Sequence, residues 1–221
     1  MGAERWATFD CYGTLVDWNG GIRATVAGLW PDADADLLLE RYHAIEPVIQ
    51  EGRGIPYRTV VAESLTKLAA EEGLDLPASR RSALADALPR WPVFPEAPAA
   101  LMELRARDWR LAILSNTDPD LLDASIAAIG MPIDERVVAS EIGSYKPAFG
   151  HWETFFERTG ADRGGHVHVA ASLFHDVRPC AALGLPCVWI NRLGETSDLP
   201  RVGELADIRE LPDTLDRLVP A

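Results

Sequence analysis

The 221-residue sequence reads as an α/β protein: a parallel sheet with helices on both faces and a helical block inserted after the first strand. Three observations carry that reading. From Pro98 onward, short apolar runs rich in β-branched residues alternate with helical segments. A stretch from about Gly20 to Pro89 has helical periodicity and no strand pattern. Polar residues able to do chemistry recur at the C-terminal ends of the proposed strands. Alternation of this kind needs crossover connections, which are right-handed and place helices over both faces of the sheet.

The elements follow in order. The run Trp6-Ala7-Thr8-Phe9-Asp10 is an apolar strand that delivers a carboxylate to its end, and Gly13-Thr14 turns the chain soon after. Residues 35–45 carry apolar side chains at three- and four-residue spacing, as one buried helix face requires. A second helix covers Tyr57 to Glu72, with Val60, Val61, Leu65, Leu68 and Ala69 as its stripe and Gly73 as its stop. A third runs from about Ser79 to Leu88. The prolines of residues 92–98 make that stretch an extended connector. Then come helix 99–107, strand 111–116, helix 121–129 ended by Gly130, a weak strand 137–139, and helix 147–158 with proline near its first turn. Strand 167–171, helix 176–183 ended by Gly184, and strand 187–191 complete the series. The expected division is a core of residues 1–16 and 95–221 with a helical cap of residues 17–94 beside the strand ends.

Composition narrows the function. A net charge of −13 argues against nucleic acid and anionic membrane surfaces as partners. The same field repels a small anionic substrate, so specific local cations would have to offset it. The sequence has neither an 18-residue apolar run nor a signal-peptide pattern at its start. Cys11, Cys180 and Cys187 are too few and too scattered for a disulfide framework or a zinc site. A reduced, cytoplasmic setting is the expectation.

Ligands of open parallel sheets collect at the carboxyl ends of the strands. Asp10, Ser115 with Asn116, Ser172 and Asp176 all fall there, and Lys146 lies in a loop before a helix. Each has an ordinary reading: Ser115 and Asn116 as helix N-caps, Lys146 as a solvated loop residue, Asp176 as a first-turn acid favoured by the helix dipole. Their coincidence at successive strand ends favours a shared site. His166 and His168 alternate on one strand with no third metal ligand in view, and read as structural or surface residues. His175, beside Asp176, is divided between the two readings. Trp18, Trp30 and Tyr57 read as cap core or cap–core contacts, and Cys11 as a packing residue turned away from Asp10.

These residues resemble the motifs of the haloacid dehalogenase superfamily of hydrolases. Asp10-Cys11-Tyr12-Gly13-Thr14-Leu15-Val16 is similar to its first motif, with Asp10 as nucleophile; Leu114-Ser115-Asn116 to the second; Lys146-Pro147 to the third; and Ser172-Leu173-Phe174-His175-Asp176 to the fourth. The resemblance implies a Rossmann-like core with a cap inserted after the first strand, in agreement with the periodicity. Phosphatases of this superfamily carry a second Asp where this chain has Tyr12, and a magnesium-binding Asp where it has Ala171. The sequence more closely resembles the type II L-2-haloacid dehalogenases, which share the tyrosine and place a cap arginine at a position matched by Arg41.

That resemblance implies attack of Asp10 on C2 of a small 2-halocarboxylate, loss of halide, and hydrolysis of the aspartyl ester. It gives Lys146 the task of keeping Asp10 ionised, Arg41 and Asn116 that of stabilising the halide, and Tyr12, Thr14 and Ser115 a place around the substrate. Asp176, with Ser172 or His175, would activate the water. No cofactor is implied, and a homodimer built through the cap is. Two departures stand out: the asparagine of the dehalogenase fourth motif is missing, and a tyrosine six residues after Lys146 is replaced by Trp152. The alternatives are a magnesium-assisted phosphomonoesterase, with a weakly held ion at Asp10 and Asp176, and a binding protein without catalysis.

Overall fold

In the computed structural model, which describes residues 4–221, six strands form one parallel sheet. They are β1 (Arg5–Phe9), β2 (Trp109–Ser115), β3 (Glu135–Val138), β4 (His166–Ala170), β5 (Cys187–Ile190) and β6 (Gly203–Leu205). Their spatial order is β3-β2-β1-β4-β5-β6. β1 is central and every one of its residues is buried, as the middle strand of a sheet covered on both faces must be. Phe9 pairs with Ile113 on one side and Val169 on the other. The three central strands therefore release their chains at one height, and this is the crevice where the strand order switches direction.

Strand alternation sorts the core into two clusters. Ala7, Phe9, Leu111, Ile113, Val167 and Val169 point to one face and merge with the helices inserted after β1. Trp6, Ala112, Leu114, Cys187 and Trp189 point to the other, where they meet Trp152 and Phe155. Thr8, His166 and His168 are also fully buried, and Thr8 pairs across the sheet with His168.

Between β1 and β2 the chain makes α1 (Trp18–Leu29), α2 (Ala35–Gln50), α3 (Tyr57–Glu71) and α4 (Ala83–Ala87), then α5 (Ala97–Ala106). Asp17 and Asp34 cap α1 and α2 through their own carboxylates. α3 has Pro56 in that position, with no side chain to cap with. Its cap comes from the loop after β2 instead. Asp118, 4% exposed, accepts hydrogen bonds from the Tyr57 and Arg58 amides at 2.8 and 2.9 Å. Nearby, the Tyr145 hydroxyl donates to the Ile55 carbonyl at 2.7 Å. The entry to α3 is thus tied to the sheet's loops.

The remaining helices are α6 (Pro119–Ile129), α7 (Ala139–Ile142), α8 (Gly150–Thr159), α9 (Arg178–Leu183) and α10 (Leu211–Leu218). Several elements differ from the sequence reading. The helix expected at 79–88 is a 3₁₀ turn (Ala78–Arg80), the short α4, and a second 3₁₀ turn (Leu88–Arg90); Pro89 lacks the amide to continue the ladder. The helix expected from 147 begins at Gly150, because the Ala148 amide first turns back onto the Tyr145 carbonyl. The helix expected from 176 is preceded by a π turn, Leu173–Val177, before α9 starts. β6 and α10 were not anticipated. Among the described residues, no helix is long and apolar enough to cross a membrane.

Removing a helix cap of this kind costs about 0.5–2 kcal/mol. Asp118→Ala is expected to lower the urea midpoint accordingly, with an unchanged slope. Asp120→Ala, at the exposed end of the same Arg58 contact, is expected to cost less than about 0.5 kcal/mol.

Candidate active site

The strand ends open into a cavity of about 790 Å³. Its floor carries Asp10, Ser115, Asn116, Lys146, Ser172 and Asp176, and its far wall comes from α1, α2 and the start of α3. Asp10 follows the last residue of β1 and donates its amide to the Val169 carbonyl at 3.0 Å, so the sheet itself sets its height.

Lys146 is the centre of the floor. It is 1% exposed, and its ammonium has three donors for three acceptors: Asp10 Oδ1 at 2.8 Å, Asp176 Oδ1 at 2.7 Å and the Leu114 carbonyl at 2.9 Å. Its backbone is fixed as well. Asn116 Oδ1 accepts from the Lys146 amide at 2.7 Å, and Asn116 Nδ2 donates to the Lys146 carbonyl at 2.9 Å. The other oxygen of Asp10 accepts from the Thr14 hydroxyl at 2.9 Å, and that hydroxyl accepts from the Ala171 amide at 3.0 Å.

Two carboxylates share one cation here, and their environments divide them. Burial would lower Lys146, but the charges of Asp10 and Asp176 outweigh it and hold the ammonium above its ordinary value. Burial pushes Asp10 above the usual carboxylate range; Lys146 opposes this and the Asp176 charge adds to it. Burial acts the same way on Asp176, yet the Lys146 charge and a hydrogen bond from His168 hold it well below its ordinary value. Asp176 therefore stays ionised, while Asp10 is a desolvated carboxylate with raised basicity. That combination is what a carboxylate nucleophile requires.

The donor set does not suit magnesium, which takes about six oxygens in near-octahedral geometry. Asp10 Oδ1 and Asp176 Oδ1 are both engaged by Lys146, and the residue just before Ser172 is Ala171, which has no side-chain oxygen to offer a metal. Among the described residues no group of three or more His, Cys, Asp or Glu side chains could hold a metal ion.

A family model for haloacid dehalogenase-like hydrolases matches residues 5–184. The chain belongs to that family. This haloacid dehalogenase-like hydrolase is 29% identical over 203 residues to the (S)-2-haloacid dehalogenase of Pseudomonas sp. (strain YL), covering 84% of this chain and 82% of that protein. It is 29% identical over 196 residues to the haloacetate dehalogenase H-2 of Moraxella sp. (strain B), covering 86% and 87%. Its fold is similar to that of the L-2-haloacid dehalogenase of Xanthobacter autotrophicus solved with chloropropionic acid covalently bound. There the TM-score is 0.83 at 20% identity, with 100% of each chain covered.

Within this hydrolase the structure brings Asp10, Lys146, Asp176, Ser172, Ser115, Asn116 and Tyr12 to one cavity. Several do something other than the sequence suggested. Arg41 is the main correction: it stands on the outer side of α2, 57% exposed at its side chain, paired with Glu72 at 3.5 Å. The helix period turns it away from Tyr42, Ile45 and Glu46, which face inward. Thr14 does not line the cavity, and its hydroxyl holds Asp10 instead. The Asn116 amide contacts Lys146 and Gln50 Oε1, the latter at 3.2 Å, so it braces the floor. Tyr12 contributes its ring, while its hydroxyl lies 3.0 Å from Ser125 Oγ in α6. The Ser115 hydroxyl is buried with no partner. Ser172 caps the π turn through the His175 amide at 3.0 Å. Trp152 packs edge-on against His168 and lies beneath the floor.

Sequence reasoning missed the inner face of α2. Glu46 and Gln50, one turn apart, line the cavity wall, and burial pushes Glu46 up to about 7. The signal was present as two polar residues in register with Tyr42 on an otherwise apolar helix face.

Removing one partner of a buried ion pair costs about 3–5 kcal/mol. Lys146→Met is expected to lose that much stability near neutral pH in urea unfolding. The two orphaned carboxyls would have raised folded-state pKa values, so the deficit should narrow as pH is lowered and they take up protons.

Proposed function

We propose that this protein is a hydrolytic dehalogenase of small 2-haloalkanoic acids, working through an ester on Asp10. One observation carries the reading: a desolvated Asp10 carboxylate, fixed by Lys146 and Thr14, opens onto a cavity large enough for a small acid. The names of the relatives, and the covalently bound acid in the Xanthobacter autotrophicus structure, support the same chemistry.

In this reading an oxygen of Asp10 attacks C2 of the substrate from the side opposite the halogen. The C–O bond forms as the carbon–halogen bond breaks, and the halide leaves with the bonding pair. Splitting one displacement into two steps is the gain from covalent catalysis. Lys146 keeps Asp10 ionised and aimed. Ser115, whose hydroxyl has no partner within the protein, stands beside Asp10 in the cavity lining as a donor for the substrate carboxylate. Water then attacks Cγ of the ester, with Asp176 as base. The reading takes residues 17–94 as a cap over a core of residues 1–16 and 95–221. The three cysteines are free and buried, which suits a reducing compartment such as the cytoplasm.

Halide release from L-2-chloropropionate is the direct test. It is expected in the wild type, unaffected by EDTA, and absent from Asp10→Asn with the fold retained by circular dichroism. Magnesium-dependent release of phosphate from a generic phosphomonoester, with no halide release, would sink the proposal. The pH dependence has a defined sign. Asp10 must be ionised to attack, so the rate should fall as pH drops through its folded-state pKa, which burial places above the ordinary carboxylate value. Thr14→Val removes a hydrogen bond to the ionised form and should move that limb to higher pH.

A further inference from the structure

The chemistry above makes no use of Thr8, His166 or His168, yet all three are fully buried. They form one hydrogen-bonded chain that ends on the catalytic floor. Thr8 Oγ1 lies 2.8 Å from His166 Nε2 and 2.8 Å from His168 Nδ1. His168 Nε2 lies 3.0 Å from Asp176 Oδ1.

The direction of each bond follows from proton inventory. An ionised Asp176 can only accept, so His168 Nε2 donates to it. In the neutral imidazole Nδ1 must then accept, and the Thr8 hydroxyl donates to it. Thr8 in turn accepts from His166 Nε2. The one atom left over is His166 Nδ1, which has no partner. In this assignment that atom is an unused lone pair. Reversing the chain would leave a buried N–H orphaned there, the costlier defect.

Asp176 Oδ1 thus receives two hydrogen bonds from different directions, Lys146 Nζ and His168 Nε2. Its other oxygen, Oδ2, is buried and receives none. We propose that His168, locked by Thr8 and His166, is a positioning residue for ester hydrolysis: it pins Asp176 Oδ1 and leaves Oδ2, the oxygen without a donor, as the one free to take a proton from the attacking water. The proposal rests on the dehalogenase reading above.

The need for a second tether arises in the ester. Once alkylated, Asp10 is neutral and no longer competes for Lys146, so the ammonium's attraction falls on Asp176 alone. A carboxylate held by that one donor can turn to offer it either oxygen. The imidazole prevents this turn. The water oxygen then adds to Asp10 Cγ, and one water proton passes to Asp176 Oδ2. The bond from Cγ to the C2 oxygen breaks, that oxygen takes the proton back, and a 2-hydroxy acid departs. The acid regenerated at Asp10 ionises, releasing the single proton of the net reaction.

The test separates the two halves of the reaction in His168→Phe, which keeps a ring against Trp152. With L-2-chloropropionate, rapid quenching should show one halide per site released near the wild-type rate. Steady turnover should then be at least about tenfold slower, part of the roughly 10²–10⁴ that a positioned base supplies. Intact mass spectrometry should show the ester as the main species in the variant and a minor one in the wild type. Thr8→Val, which exchanges the hydroxyl for a methyl group, should shift turnover and ester level the same way by a few fold, and it decides the matter if His168→Phe does not fold. Turnover and ester level unchanged in the folded variant would overturn the proposal, as would equal slowing of both halves, the mark of a merely structural role. A wild type that releases no halide would instead overturn the dehalogenase reading, and this assignment with it.

Discussion

One buried ammonium holds the site together. Lys146 places its charge between two carboxylates that would otherwise repel each other in a low-dielectric pocket, where an unpaired charge costs several kcal/mol. Its three protons meet three acceptors drawn from the ends of β1 and β2 and from the π turn after β4. The segments that carry them depart from neighbouring strands at one height. The register of the parallel sheet is therefore also the register of the chemistry.

The consequence is a division of labour between groups of the same type. Asp10 and Asp176 differ little in sequence context, since each is an acid beyond a strand. What separates them is burial weighed against donors: Asp10 is raised by desolvation, and Asp176 is held low by Lys146 and His168. Pairs of acids driven apart in this way can take different roles in one reaction.

Much of this was legible in the sequence. Alternating apolar runs gave the parallel sheet, polar residues at strand ends pointed to Asp10, Ser115 and Asp176, and Lys146 stood out in the loop before a helix. Period-2 and period-3.6 patterns report which face a residue occupies, and for the central strands that suffices. Arg41 shows where such reasoning stops. A match in position along a helix says nothing of its rotation, and one residue of helix turns a side chain by about 100°. His168 shows a second limit. Its neighbour Val169 points to the opposite face, so its meaning depends on Thr8 across the sheet and on Asp176 beyond a turn of irregular geometry. Pairings between strands are set by the fold and leave no local trace. The same holds for the π turn, whose extra residue shifts Asp176 relative to any helical template.

The capping of α3 by Asp118 couples order in one part of the molecule to contact with another. Pro56 offers no cap of its own, so the first amides of α3 are satisfied only while that helix rests on the loop after β2. Lifting the inserted helices off the sheet would expose those amides and fray the first turn. Opening and local melting are then a single cooperative event, not two independent motions. Hydrogen exchange at Tyr57 and Arg58 would accordingly report how often the cavity is uncovered.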